Sequence, residues 1–568
     1  MDKKETTEQA TPMNRRTFVA GAAVVGASAL AATTLAGCGG GGNSGGGGGG
    51  GSSAGDGGEG IMRCYINQPV SIDAFNVQES EGTQVAANLY DALTGFDYRT
   101  KQLFGAVAES WDINDDATVF TFHLRKGTKF HNGDTVTAKD FKYGWERLCN
   151  PNTTDDPSEI SYHIDRIKGY DAMLEGKTTE LEGVKVIDED TLEVTLIEPF
   201  ADFVYVVSHP ALSPVPSGGA ADDFLKYFRS PIGNGPFMMD GDWVDDQYIR
   251  IKRFGDYYGE KAKIAGCDFK IFSSPETAFT EFQAGELDFT QVPAGQIESV
   301  SAQYGVSSDG YTVNPGKQTL LGPESSTYYF TMNHKDPIFK DVNIRKAVSM
   351  AINRQAICDT IFSGTRVPAT GIVPPGIDGY RDGAWGSAKY DVEGAKKALA
   401  DAGYPNGEGF PTIKLSCNSG GGHEEIMQMV QGDLKLIGIT AELETMEWAN
   451  YLKALTEGNY QIGRLGWIAD YPIMDNFLYS LFYTGTGDNR SHYSNKEFDQ
   501  KLVKARSTTD TKERIKIYQE ADDILAEECV VAPVMYYRHN RVGSDLVNDF
   551  FFAPNMIGWL NEMSLSKA

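Results

Sequence analysis

Apolar positions alternate strictly in several short stretches of the chain. In Val119–Leu124 one face carries Phe120, Phe122 and Leu124, and in Thr191–Leu196 one face carries Leu192, Val194 and Leu196. Ile249 and Ile251 alternate with Arg250 and Lys252. A period of two predicts half-buried strands. Elsewhere the period is helical: Ile344, Ala347, Val348, Ala351 and Ile352 form a single stripe. Asp391 is placed to cap a helix through Leu399, which Gly403 and Pro405 end. Thr137 to Asp140 resembles a capping box with Asp in the usual place of Glu or Gln. The stretch from Thr412 to Leu443 reads as a β-α-β unit. Its strand is Thr412–Ser416, its glycine loop Asn418–Gly422, and its helix starts at His423 with Ile426, Met429, Val430, Leu434 and Ile437 inward. After Gly438 the second strand is Ile439–Leu443, so the two strands are expected to be parallel neighbours. The whole predicts a mixed α/β protein without an internal repeat.

The N-terminus departs from this pattern. Arg15 and Arg16 precede a weakly apolar stretch of Ala, Gly, Val and Thr that runs to Leu35-Ala36-Gly37-Cys38. A basic flank, a modest apolar region and small residues before a cut describe an export signal, here of twin-arginine type. Ala and Gly supply too little transfer free energy for a good permanent span. The ending resembles a lipobox, in which Cys38 is lipidated and becomes the first mature residue. Residues 39–60 are almost all Gly with a few Ser. They cannot bury apolar area, and as a flexible coil they have a root-mean-square reach of about 25 Å. With no preceding strand and no following Lys-Ser/Thr, they are not a phosphate loop.

Composition and charge narrow the function classes. The 568-residue chain is 41% hydrophobic and 11% aromatic, and the part after residue 60 is too long for one core, so at least two lobes are expected. A net charge of −27 argues against nucleic acid and anionic lipid as partners. Besides Cys38 there are Cys64, Cys149, Cys267, Cys358, Cys417 and Cys529, with no C-x-x-C pair and no histidine cluster, so neither metal nor cofactor is expected. A disulfide is permitted outside the cytosol, but the spacing reveals no pairing. No G-x-S-x-G, H-E-x-x-H or Cys-His pattern points to an enzyme.

A series of motifs is colinear over nearly the whole mature chain. It comprises Ala108–Trp111, Phe120–Gly127, Phe130–Gly133, Thr137–Phe141, Asn234–Phe237, Gln283–Asp288, Arg345–Arg354 and Gly466–Tyr471. Together they resemble the peptide/nickel class, family 5, of extracellular solute-binding proteins of ABC transporters, nearest to its oligopeptide-binding members. The resemblance implies the two-lobed type II fold of periplasmic binding proteins, with an additional inserted α/β domain and a ligand cleft between the lobes. Mapped here, lobe I takes residues 61–90, 205–325 and 539–568, the inserted domain 91–204, and lobe II 326–538. Such proteins close on a ligand and hand it to permease subunits driven by ATPase subunits. The expected partners are therefore short peptides, the permease with its ATPase, and the membrane through the lipid anchor. The protein is expected as a monomer on the outer face of the cytoplasmic membrane.

The resemblance also assigns a binding constellation. Asp470 sits where the family accepts a peptide's α-ammonium, and the backbones of Gly466 and Ile468 lie where the ligand adds as a strand. Arg464 and His423 match positions that receive the peptide carboxylate. His423 also opens a helix after a glycine loop, where free N–H groups favour an anion. A structural salt bridge for Arg464 and a satisfied surface histidine remain the alternatives. Trp448, Trp467 and Tyr537 match side-chain pocket positions, each equally compatible with core packing. Leu455 stands where the family pattern has another Arg, and an acidic residue near the ligand's amino end maps onto Gln78, with Glu79 and Glu81 nearby. The rival cargoes are a nickel complex, glutathione, an opine or a sugar, and the rival role is a sensor that does not transport.

Overall fold

The computed structural model describes residues 60–77, 80–154, 158, 160–293, 295–419 and 423–566. The export signal, Cys38, the glycine tether up to residue 59, Gln78 and Glu79 lie outside the described residues, as does the side chain of Trp448. No helix among the described residues is long and apolar enough to cross a membrane.

Three sheets organise the chain. A seven-stranded sheet runs, in spatial order, Thr319–Leu320, Arg541–Gly543, Phe289–Gln291, Ile61–Ile66, Gly266–Ile271, Tyr248–Arg253 and Phe237–Met239. Between Ile66 and Phe237 the chain leaves it and builds a four-stranded antiparallel sheet from Ala108–Ile113, Val119–Leu124, Thr191–Thr195 and Val184–Asp188. A six-stranded sheet follows, in the order Arg366–Pro368, Val531–Tyr537, Ser326–Met332, Ile462–Ile468, Ile413–Asn418 and Ala441–Met446.

The alternating stretches behave as their pattern demands. Phe120, Phe122, Leu192 and Val194 are fully buried on one face of the four-stranded sheet, as are Ile249 and Ile251 in the seven-stranded one. The β-α-β stretch gives Ile413–Asn418 and Ala441–Met446 as parallel neighbours around the helix His423–Lys435. Met427 is the buried methionine of that helix, whereas Met429, expected inward, lies at the edge of the stripe. Ser326–Met332 is buried at every position because helices cover both faces of its sheet. Tyr328, Phe330 and Met332 pack on the helices Val342–Ala351, Val392–Asp401 and His423–Lys435, while Tyr329 faces a second core with Tyr451, Phe477 and Tyr518. Removing the Phe330 ring from such a site would cost about 3–5 kcal/mol.

Several of the motif residues hold this framework together. Asn234, fully buried, bonds both backbone groups of Asp91 at 3.0 and 2.9 Å. His131 Nδ1 accepts from the Gly233 amide, and burial pushes its ring down to about 4, so it stays neutral. A Cβ at Gly235 would come within 2.7 Å of the Leu89 carbonyl carbon, so that close approach requires glycine. Arg345 donates to the carbonyls of Phe339 and Glu528, and Arg354 to those of Ser349 and Pro533. In the capping box the Asp140 carboxylate accepts from the Thr137 amide and hydroxyl, both at 2.8 Å, so aspartate reaches as far as the longer residue would. All six described cysteines are buried thiols. Cys64 and Cys267 touch with sulfurs 3.6 Å apart, but they sit two residues out of register on adjacent strands.

Candidate functional site

A cavity of about 580 Å³ opens between parts of the chain that belong to different sheets. One wall comes from the helix Ser80–Leu89 and its continuation to Tyr98, with Asn555 to Glu562 beside it. The opposite wall is the end of the strand Ile462–Ile468 and its extension to Pro472, together with Tyr537. Tyr162, His163 and His209 form the floor between them.

The strand Ile462–Ile468 has an unusual edge. Along its whole length it pairs antiparallel with Ser326–Met332. On its other side it pairs with Ile413–Asn418 only at Ile462 and Gly463. From Arg464 to Ile468 no strand among the described residues covers that edge. The Arg464 carbonyl points to this side, where it accepts from the Tyr451 hydroxyl at 2.7 Å. Backbone direction alternates along a strand, so the amides and carbonyls of Gly466 and Ile468 face the same open side. A Cβ on Gly466 would meet the Tyr537 hydroxyl at 3.5 Å, an ordinary contact, so the fold itself does not demand glycine there.

Asp470 follows directly. Its Oδ1 accepts from the Tyr162 hydroxyl at 3.1 Å and its Oδ2 from the Asn476 amide at 3.0 Å. A carboxylate offers about four acceptor sites, so capacity remains for a ligand. Asn476 is fixed in turn by the Trp467 indole, which donates to Asn476 Oδ1 at 2.9 Å. Trp467 therefore packs in the core and sets the Asn476 amide that orients Asp470. Beneath Asp470 the rings of His163 and His209 lie 4.3 Å apart. Burial, and then the His163 ring, push His209 well below the usual histidine range.

The structure places the two expected carboxylate receivers differently. Burial, with the Arg464 charge adding to it, pushes His423 down to about 3, so its ring is neutral and supplies no cation. Its Nδ1 lies 3.5 Å from the Tyr328 hydroxyl, and it is not among the cavity walls. Arg464 does reach the wall, but the residue is 2% exposed and its guanidinium donates to Asn418 Oδ1. Tyr537 lines the cavity, and the Arg366 guanidinium lies 4.5 Å from its ring. The cavity thus brings together Arg464, Gly466, Trp467, Ile468, Asp470 and Tyr537, and leaves out His423.

Residues that sequence reasoning did not single out complete the site. Tyr162 and Asn476 hold Asp470. On the far wall Asp91 accepts from the Tyr257 hydroxyl at 2.7 Å, and burial raises its carboxyl above the usual range. Among the described residues on the cavity walls, Asp91, Glu260, Asp470 and Glu562 stand against a single lysine or arginine, Arg464; Glu562 is paired with Arg99 at 2.6 Å, and the other three favour a cationic group in the ligand. No group of three or more His, Cys, Asp or Glu among the described residues is arranged to hold a metal ion.

Residues 102–489 match the model of the bacterial extracellular solute-binding proteins, family 5 middle region. The chain is 32% identical to the periplasmic oligopeptide-binding protein OppA of Escherichia coli over 488 residues, 83% of this chain and 86% of the relative. Among solved structures it matches HbpA2 from Haemophilus parasuis with a TM-score of 0.77 at 25% identity, over 89% of this chain and 100% of the other. It also matches DppA from Helicobacter pylori, solved in complex with the peptide STSA, with a TM-score of 0.65 at 25% identity over 90% and 99%. These likenesses give the multi-domain type II fold of periplasmic binding proteins, and the relatives are binding components rather than enzymes. The chain belongs to family 5 of the bacterial extracellular solute-binding proteins of ABC transporters.

Proposed function

We propose that this protein captures short peptides by their free amino end and delivers them to an ABC permease. The observation that carries the reading is the open strand edge of Gly466 and Ile468 ending at Asp470. An extended peptide added to that edge has its backbone read without regard to side chains, and its ammonium meets the carboxylate. The acidic character of the walls supports a ligand with a free amine over a sugar. That relatives carry names of oligopeptide-binding proteins agrees with this choice. The lobes are assigned as residues 61–90, 205–325 and 539–568 against 326–538, with 91–204 inserted, and the ligand closes them about their crossing segments.

The test is native mass spectrometry of the protein purified from membranes in mild detergent, followed by release and sequencing of what it carries. A ladder of peptides is expected. A single non-peptide mass would keep the family role and overturn the cargo.

Delivery at the membrane is assigned to a lipid on Cys38, with the glycine tether holding a monomeric binding unit near the permease and its ATPase subunits. Cys38→Ser is expected to move the protein from the membrane fraction to the soluble exported fraction. Retention in the membrane fraction would show that the N-terminal segment itself is the anchor.

A further inference from the structure

The far wall of the cavity carries a carboxylate that no cation among the described residues neutralises. Asp91 lines the cavity just past the end of the helix Ser80–Leu89 and is partly buried there. Its backbone is fixed on both sides by Asn234, at 3.0 and 2.9 Å. Its Oδ2 accepts from the Tyr257 hydroxyl at 2.7 Å, and the Tyr258 hydroxyl makes a second contact with the same carboxyl. Burial, with the Asp91 charge adding to it, raises Tyr257, so that hydroxyl stays a neutral donor. Hydrogen bonds from these two tyrosines are all that oppose the burial of Asp91, and no lysine, arginine or histidine acts on it. Glu562 on the same wall is the contrast, because it has Arg99 at 2.6 Å.

Three features direct this carboxylate towards a ligand. A carboxylate offers about four acceptor sites, and the tyrosines take two. A charge in a cleft wall without a partner is unfavourable, and a cation brought by the ligand relieves it. The tyrosines themselves stand on the cavity wall, their rings 4.8 Å apart, and aromatic faces attract a cation. Arg125 lies 5.5 Å from the Tyr258 ring centre, but it is not on the cavity walls and is not among the groups acting on Asp91. Glu260, exposed on the same wall, adds to the negative potential. Asp470 is on the opposite wall and bonds Tyr162 and Asn476, so the two carboxylates share no partner and form separate receptors.

We propose that Asp91 is a second cation receptor of the cleft, taking the ammonium or guanidinium of a lysine or arginine side chain while the peptide's amino end is held at Asp470. The assignment rests on the peptide reading above and narrows its cargo to peptides with a basic side chain. A peptide paired to the edge of Gly466 and Ile468 sends successive side chains to opposite sides. The charge preference therefore falls on one residue of the peptide rather than on its overall charge. Lysine and arginine suit the task because a long apolar stem carries the charge across the cleft. Arginine adds stacking on the tyrosine rings.

The test is calorimetric titration of the full chain with tetra-alanine peptides, free at the amino end, in which the second, third or fourth residue is lysine or norleucine. Norleucine keeps the stem and removes the charge. Titrations at about 0.15 M salt screen the general attraction of an acidic protein for a basic peptide. At one position the lysine peptide is expected to bind between about tenfold and a hundredfold tighter than its norleucine partner, the worth of a hydrogen bond to a charged group. At the other positions the ratio is expected to stay within about threefold, as for exposed charges. In Asp91→Asn, whose oxygen still accepts from the Tyr257 hydroxyl, the large ratio is expected to fall to near one. A wild-type ratio near one at every position overturns the receptor and needs no variant. A ratio that survives in Asp91→Asn also overturns it, whatever the absolute loss, because Asp91 would then only tie Tyr257 to the wall. Peptides that bind without regard to lysine leave the cargo assignment standing, whereas binding of none of them removes both.

Discussion

Replacing Asp470 with alanine is expected to weaken binding of a free-amine peptide by between about thirtyfold and several thousandfold. This corresponds to the ~2–5 kcal/mol lost when one partner of a desolvated, hydrogen-bonded charge pair is truncated. The gross attraction between an ammonium and a carboxylate 4 Å apart is about 4 kcal/mol at an effective dielectric of 20, so the charge alone can account for most of the loss. Peptides acetylated at the amino end carry no ammonium, and for them the change is expected to be less than about threefold, an uncharged contact being worth far less. Asp470→Asn sharpens the comparison. Its oxygen can still accept from the Asn476 amide and its own N–H can donate to the Tyr162 hydroxyl oxygen, so the wall stays in place while the charge is removed. Calorimetric titration with paired free and acetylated peptides decides the matter. Equal losses for both would mean that Asp470 only ties Tyr162 to Asn476 and is not the ammonium receptor.

Parts of this site were legible in the sequence for a physical reason. A half-buried strand must alternate, so Val119–Leu124 and Thr191–Thr195 could be read from their residues alone. The central strand Ser326–Met332 shows no alternation because both of its faces are buried, and periodicity therefore said nothing about it. The approach of Gly466 to Asp470 was readable as a motif, but the open edge beside it was not. That edge exists because Ile413–Asn418 diverges after Gly463, which no local pattern encodes. His423 shows the converse limit. A helix start after glycines describes local hydrogen-bonding capacity, whereas the burial and nearby Arg464 that make the ring neutral depend on how the helix packs. Tyr162 reaches Asp470 from 308 positions away, out of a stretch with no periodic signal.

The site depends on a second long-range arrangement, behind Asp470. Asn476 lies in the helix Asp475–Phe482, and its neighbour Asp475 is fully buried. The Tyr518 hydroxyl bridges Asp475 and Asp202, at 3.0 Å to each. Arg514 Nε lies 2.6 Å from Asp202, and Arg506 reaches Asp475 at 3.4 Å and Glu198 at 2.9 Å. This cluster ties the chain just after the four-stranded sheet to the helices that carry Asn476. With Arg166 3.6 Å from Glu198, three arginines face three carboxylates, which leaves no spare positive charge. Arg514→Met would strand Asp202, 2% exposed, beside Asp475 with only a hydroxyl for company. Breaking a buried pair in this way is expected to cost about 3–5 kcal/mol, measured as a lower urea midpoint at neutral pH. Burial already raises the Asp202 carboxyl, opposed chiefly by Arg514, so removing the arginine raises it further. A carboxyl raised in the folded state favours folding when protonated, so the variant should recover part of its deficit as the pH falls through that raised value. The double variant Asp202→Asn with Arg514→Met, which leaves no uncompensated charge at that position, should regain most of the loss at neutral pH. A single variant as stable as the wild type would show that the cluster is solvated and does not hold Asn476. If the deficit appears as expected, peptide binding should weaken with it, because Asp470 would lose the fixed partner that aims it into the cleft.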